Sequence, residues 1–243
     1  MKLTFIKIFS WSMIVVMGLL VTAESYAPTI SRLNDLSSSS PSSEKNGNSN
    51  RLYRSLENEL SLQDFNIIKR YAAEYDIDYR LILAIIKHES RFDPNALSRR
   101  GAEGFMQLMP VTNAEVVEHF DIADSLLPAD NVRGGIYYFA KLFKLFQANS
   151  AEDRFCLALA AYNAGPSRIY DAQELAAYLG ENPNKWQVIQ NVLPLLSKRY
   201  YSLHQMVWLD GRPPNGSFGS WRQTIAYVEN IRKTYREFQN IVG

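Results

Sequence analysis

Among the 243 residues, Glu89 is the side chain whose type and position best suit chemistry. Ile82, Ile85 and Ile86 mark a core-facing stripe at helical spacing, and the same spacing carried forward lands on Glu89. A carboxylate on an apolar face loses hydration, and its usual response is a raised pKa. A proton held near neutral pH is what a general acid requires. The pattern by itself equally admits a glutamate that reaches solvent at the helix end or pairs with Lys87 or Arg91. His88-Glu89 opens like the zinc-protease motif, but that motif needs histidine at the place of Phe92, which excludes it. His88, His119 and His204 form no ligand-like grouping, and Asp76 and Asp78 lack a calcium-loop pattern. No metal and no cofactor is expected.

The elements that position this glutamate read as helices, and the expected fold class is all-α. Ser61-Leu62-Gln63-Asp64 has the spacing of a capping box ahead of a stripe formed by Phe65, Ile68, Tyr71, Ala72 and Tyr75. A second helix is predicted from about Asp78 to Phe92, stopped by Asp93-Pro94. Thr112 is expected to cap a third and Asn131 a fourth. Residues 152–162 are apolar on most faces and end at Gly165-Pro166, which marks a central buried helix with Cys156 as a packing residue. Further helices are expected over 168–179, over 186–207 with a restart at Pro194, and over 221–239.

Composition and charge narrow the function classes. Lys and Arg number 26 against 25 Asp and Glu, a net charge of +1, which excludes the strongly basic footprint of a nucleic-acid binder. The chain is nevertheless not uniform. Lys2 and Lys7 precede an uncharged run over residues 8–23 that ends in Val21-Thr22-Ala23, the pattern of a secretory signal peptide. The alternative is an uncleaved anchor, although the run is short of the roughly 20 residues needed to cross a bilayer. Cleavage would leave a chain of net charge −1. With Cys156 as the single cysteine, no lipid-anchoring site and no internal disulfide is available. Residues 37–50 hold seven serines and no apolar side chain, so residues 24–60 are read as a Ser-rich flexible tether. The remaining organisation is expected to be a catalytic domain over 61–180 and a C-terminal helical extension over 181–243 that completes the cleft.

Four fragments follow one another in order: Glu89-Ser90-Arg91-Phe92-Asp93-Pro94, Gly101 to Pro110 with Gly104 and Gln107, Asn131 with Gly134-Gly135, and Ala161-Tyr162-Asn163-Ala164-Gly165. This ordered set resembles the catalytic domain of the soluble-type (SLT) lytic transglycosylases, which have a lysozyme-like helical fold. Leu193-Pro194-Leu195-Leu196 and Tyr227-Val228-Glu229-Asn230-Ile231-Arg232 are similar to the membrane-bound lytic murein transglycosylase F branch.

The resemblance implies an enzyme that cuts the bond between N-acetylmuramic acid and N-acetylglucosamine in peptidoglycan glycan strands without consuming water. Glu89 would act as acid and then as base, leaving a 1,6-anhydromuramoyl end. Ser90 would support the acid or the substrate, and Gln107 and Met109 would line the sugar cleft. Tyr162 and Asn163 would face the acid, and Tyr227 would add another aromatic. Where many relatives carry Glu-Thr-Arg, this chain has Gln223-Thr224-Ile225, so no second carboxylate is implied there. The implied setting is the periplasm or envelope of a bacterium, with a monomer, a membrane tether through residues 8–23 and an envelope-machinery partner as open expectations. Two other readings keep the fold: a muramidase-type hydrolase, and a non-enzymatic wall-binding module.

Overall fold

The computed structural model describes residues 50–122, 127–148 and 150–242. The export segment and the Ser-rich stretch up to residue 49 lie outside the described residues. Helices form where apolar side chains recur at helical spacing and a capping group is at hand. Residues 50–56 make α1, followed by α2 (Leu62–Glu74), α3 (Tyr79–Glu89), α4 (Pro110–Phe120), α5 (Pro128–Leu145) and α6 (Ala151–Ala164). Then come α7 (Pro166–Tyr178), α8 (Trp186–Val192), two 3-10 turns (Leu193–Leu196 and Lys198–Tyr200), α9 (Tyr201–Val207) and α10 (Trp221–Val242). Two isolated β-bridges, Leu97 to Glu103 and Glu103 to Leu108, are the only extended pairings among the described residues. The all-α class holds.

The core is built around α6. Every residue from Phe155 to Ala161 is buried, so this helix has neighbours on all sides: α5, α7, α8 and α10 pack on it. Cys156 is fully enclosed, and burial pushes its thiol up to about 12, in keeping with a packing role. α3 lies against both α2 and α10, with Leu81 to Ile86 buried without a break. A helix covered this completely delivers its last residue, Glu89, to a fixed place.

Several expectations change in contact with the structure. The folded body begins by residue 50, inside the span expected to be tether. Leu52, Leu56 and Leu60 recur every fourth residue and are 0%, 2% and 3% exposed, so this stretch has an apolar stripe to bury. Ser61 does cap α2, accepting from the Asp64 amide at 3.1 Å while its hydroxyl donates to the Asp64 carboxylate at 2.6 Å. Thr112 does not cap α4, which begins two residues earlier at Pro110, a residue suited to the first helical position. Asn131 does not cap α5 either. Pro128 starts that helix, and Asn131 is turned inward from its first turn. The helix expected over 186–207 is broken by the two 3-10 turns, because Pro194 has no amide hydrogen for a continuous ladder.

Candidate active site

α3 stops at Glu89 and not at Phe92. Arg91 and Phe92 adopt left-handed backbone angles, with φ of 55° and 64°, which no α-helix can contain. Phe92 is held there by burial at 4% exposure, so the chain turns sharply just beyond the glutamate. Glu89 itself is half-buried at the end of the apolar stripe. Loss of hydration drives its pKa up from 4.5 to about 7, and a hydrogen bond from Tyr227 acts in the opposite sense. That bond runs from the Tyr227 hydroxyl to Glu89 Oε1 at 2.6 Å. The sequence argument from a carboxylate on an apolar face is thus realised in the geometry.

Two tyrosines share the acid's surroundings. Burial raises both hydroxyls well above their ordinary value, and both sit close enough to Glu89 to feel its charge. They remain neutral donors as a result. Their donors are already committed, Tyr227 to Glu89 and Tyr162 to the Met106 carbonyl at 2.8 Å. Tyr162 therefore spends its hydroxyl proton within the protein. Its bond ties the end of α6 to the loop carrying Gln107 and Met109.

That loop, residues 101–109, is clamped from behind by α5. Asn131 is 1% exposed, accepts from the Met106 amide at 2.9 Å and donates to the Glu103 carbonyl at 2.9 Å. A Cβ on Gly104 would lie 2.5 Å from the Asn131 amide, and one on Gly135 would lie 2.4 Å from the Met106 sulfur. Glycine at both places lets loop and helix approach this closely.

At the tip of the loop, Gln107 takes a left-handed φ of 48° and spends both amide hydrogens on the carbonyls of Ala96 and Gly104, at 2.9 and 3.0 Å. With both donors used, its side-chain oxygen is the group left for a ligand, which makes it an acceptor. Met109 is 42% exposed and offers an apolar surface beside it. Ser90 is buried and directs its hydroxyl back to the Ile86 carbonyl at 3.2 Å, so it is not a solvated helix-end serine. No group of three or more His, Cys, Asp and Glu among the described residues could hold a metal ion.

The family model described as "Transglycosylase SLT domain" matches residues 66–184. Residues 66–184 are thus a transglycosylase SLT domain. Two membrane-bound lytic murein transglycosylases F are similar to it. The protein from Desulfosudis oleivorans is 39% identical over 172 residues, covering 70% of this chain and 35% of the relative. The one from Alkalilimnicola ehrlichii is 35% identical over 171 residues, covering 70% of this chain and 32% of the relative. The chain spans about a third of the length of the curated relatives it matches. Among solved structures, the lytic transglycosylase Slt of Pseudomonas aeruginosa is 28% identical over 72% of this chain and 24% of that one, with a TM-score of 0.44.

The SLT match ends at residue 184, yet the site does not. α10 packs on α3 and α6 and supplies Tyr227 to the acid. It also supplies Thr224, a residue that sequence reasoning passed over. Thr224 is 1% exposed and donates to Asn163 Oδ1 at 2.8 Å. This fixes the orientation of the Asn163 amide and leaves its nitrogen as the donor end. Of the Glu-Thr-Arg pattern that the resemblance places here, Thr224 is the residue this chain shares. Its role depends on a partner 61 positions away, which spacing does not disclose.

Proposed function

We propose that this SLT domain is a peptidoglycan lytic transglycosylase acting in the bacterial envelope. The observation that carries the reading is a single half-buried carboxyl, raised to about 7, held by a neutral tyrosine donor. At neutral pH a substantial fraction of Glu89 carries a proton and can give it to the glycosidic oxygen as the bond to the muramoyl anomeric carbon breaks. The leaving sugar departs with that proton. Glu89, now a carboxylate stabilised by Tyr227, accepts the proton of the muramoyl C6 hydroxyl as its oxygen closes on the anomeric carbon. One bond breaks, one forms, and the acid is restored.

Burial and the Tyr227 bond are the two causes that set the pKa of Glu89; no second carboxylate enters. Glycosidases that activate water normally use a pair. An attacking hydroxyl carried by the substrate removes the need for the second member. Gln107 as acceptor and Asn163 as donor suit the two ends of acetamido groups, and Met109 suits a sugar face. The relatives are named lytic murein transglycosylases and membrane-bound, which supports a glycan-strand substrate, export and an envelope location.

Mass spectrometry of muropeptides released from purified peptidoglycan tests the reading. Products ending in 1,6-anhydromuramic acid are expected. Reducing ends as the main product would replace it with hydrolysis, and an intact wall would leave a binding module.

A further inference from the structure

α7 follows directly on the Tyr162-Asn163 end of α6, and one of its faces grips residues 208–220, the connection from α9 into α10. A connection of this length without helix or strand is uncommon in a compact domain. Arg168, Asp171 and Glu174 recur at every third position of α7, and all three reach it. Glu174 accepts from the Trp208 indole nitrogen at 2.8 Å. Arg168 donates to the Gly216 carbonyl, and its guanidinium lies 5.6 Å from the centre of the Phe218 ring. Between them Asp171 is 2% exposed and accepts twice from Asn215, from Nδ2 at 2.9 Å and from the backbone amide at 3.3 Å. The Arg168 guanidinium comes no nearer to it than 3.9 Å. The bonds from Asn215 are therefore what chiefly replaces the lost hydration of this buried carboxylate.

This connection ends at the part of α10 that serves Glu89. The buried apolar side chains of α10, Val228, Ile231 and Phe238, all lie beyond Tyr227. Packing on α3 and α6 thus anchors the far part of the helix. Its first turn starts from Ser220, whose carbonyl accepts the Gln223 and Thr224 amides, and Phe218 just before it is tied by its own amide to the Leu196 carbonyl at 2.9 Å. We propose that Asp171 is a positioning residue for Glu89: by holding Asn215 it fixes where α10 begins, and so keeps Thr224 on Asn163 and the Tyr227 hydroxyl on Glu89. Its value to catalysis rests on the function proposed above.

Positioning and charge act on Glu89 with opposite signs. Loss of the Asp171 charge by itself eases ionisation of another carboxyl and lowers the Glu89 pKa. Loosening of the Tyr227 bond removes what favours the Glu89 carboxylate and raises it.

The full chain with isotope-labelled glutamate carboxyls, titrated by nuclear magnetic resonance without substrate, tests the role, with Glu89→Gln identifying the Glu89 signal. Asp171→Asn sets a nitrogen against one of the two Asn215 donors at unchanged shape. Asn215→Ala removes the side-chain donor from an exposed residue and leaves the core untouched. Each is expected to raise the Glu89 pKa by up to about one unit, the worth of one hydrogen bond. With Tyr227→Phe already in place, neither is expected to raise it further, because the bond through which Asp171 acts is gone. A Glu89 pKa that stays or falls in either folded variant would overturn the proposal and leave Asp171 a stabilising residue only. A rise of the same size in the Tyr227→Phe chain would overturn it too. No glycan enters the titration, so a wall left intact by the natural chain would remove the proposed reaction while these shifts still decided the positioning.

Discussion

The Tyr227 hydroxyl donates to Glu89 Oε1 at 2.6 Å across a sequence separation of 138 residues. The contact joins the end of α3 to α10 and joins the acid to a donor that burial keeps neutral. Glu89→Gln keeps the shape and a hydrogen-bonding oxygen for Tyr227 but cannot release a proton to an oxygen leaving group. Wall-lytic activity is expected to fall by about a thousandfold or more, within the reach of general acid catalysis combined with the base step. Muropeptide release by the variant, with circular dichroism to confirm the fold, measures this. A folded variant with near-normal release would falsify the assignment of Glu89.

Tyr227→Phe removes the group that favours the ionised carboxylate, while burial continues to favour the acid. The Glu89 pKa therefore moves further up. The alkaline limb of the activity profile, set by loss of the Glu89 proton, is expected to shift to higher pH. Activity near pH 6 is expected to drop by no more than about tenfold, the worth of one hydrogen bond. A profile of reduced height and unmoved limb would give Tyr227 a packing role only.

The raised pKa also has a stability consequence. Between 4.5 and about 7 the folded protein holds a proton on Glu89 that the unfolded chain has lost. Stability then falls as pH rises through that window and levels off above it. At 1.36 kcal/mol per unit the gap is worth about 3 kcal/mol, and partial solvent contact lowers this to about 2 kcal/mol. Glu89→Gln has no proton to lose. Its unfolding free energy relative to the natural chain is expected to rise by that amount from pH 4.5 to pH 7.5, read from urea melts. The comparison cancels His88 and Asp171, whose burial shifts both proteins share. A pH-independent difference would show Glu89 to be ordinarily solvated.

How much of this was legible from sequence depends on whether a signal is local. The stripe Ile82, Ile85, Ile86 to Glu89 is local, and it gave both the helix and the misplaced carboxyl. The leucines at 52, 56 and 60 were equally local but were overshadowed by the serine-rich stretch before them. Helix starts at Pro110 and Pro128 were missed because Thr112 and Asn131 are better intrinsic caps than the residues that do the job. Asn131 is spent elsewhere, and only the tertiary approach of the 101–109 loop explains why. The same holds for the donors of Gln107 and Tyr162, which only the fold shows to be committed to backbone carbonyls.

Asn131 also makes the support of the cleft testable apart from its chemistry. Its amide is buried and satisfies two backbone groups of the loop that presents Gln107 and Met109. Asn131→Ala leaves the Met106 amide and the Glu103 carbonyl without partners in a site too enclosed for easy hydration. The cost is about 2–4 kcal/mol, or about 5–10 °C in Tm for a domain of this size. Asn131→Asp keeps the acceptor for Met106 but turns a carboxylate towards the Glu103 carbonyl, so it should be no better than alanine. On the proposed function the loop holds the sugar while Glu89 stands on α3, so the alanine variant is expected to raise KM more than it lowers kcat. Its pH profile should stay where Glu89 puts it. Thermal melts and steady-state kinetics on solubilised glycan strands check each part, and an unchanged Tm would mean that the loop does not rest on Asn131.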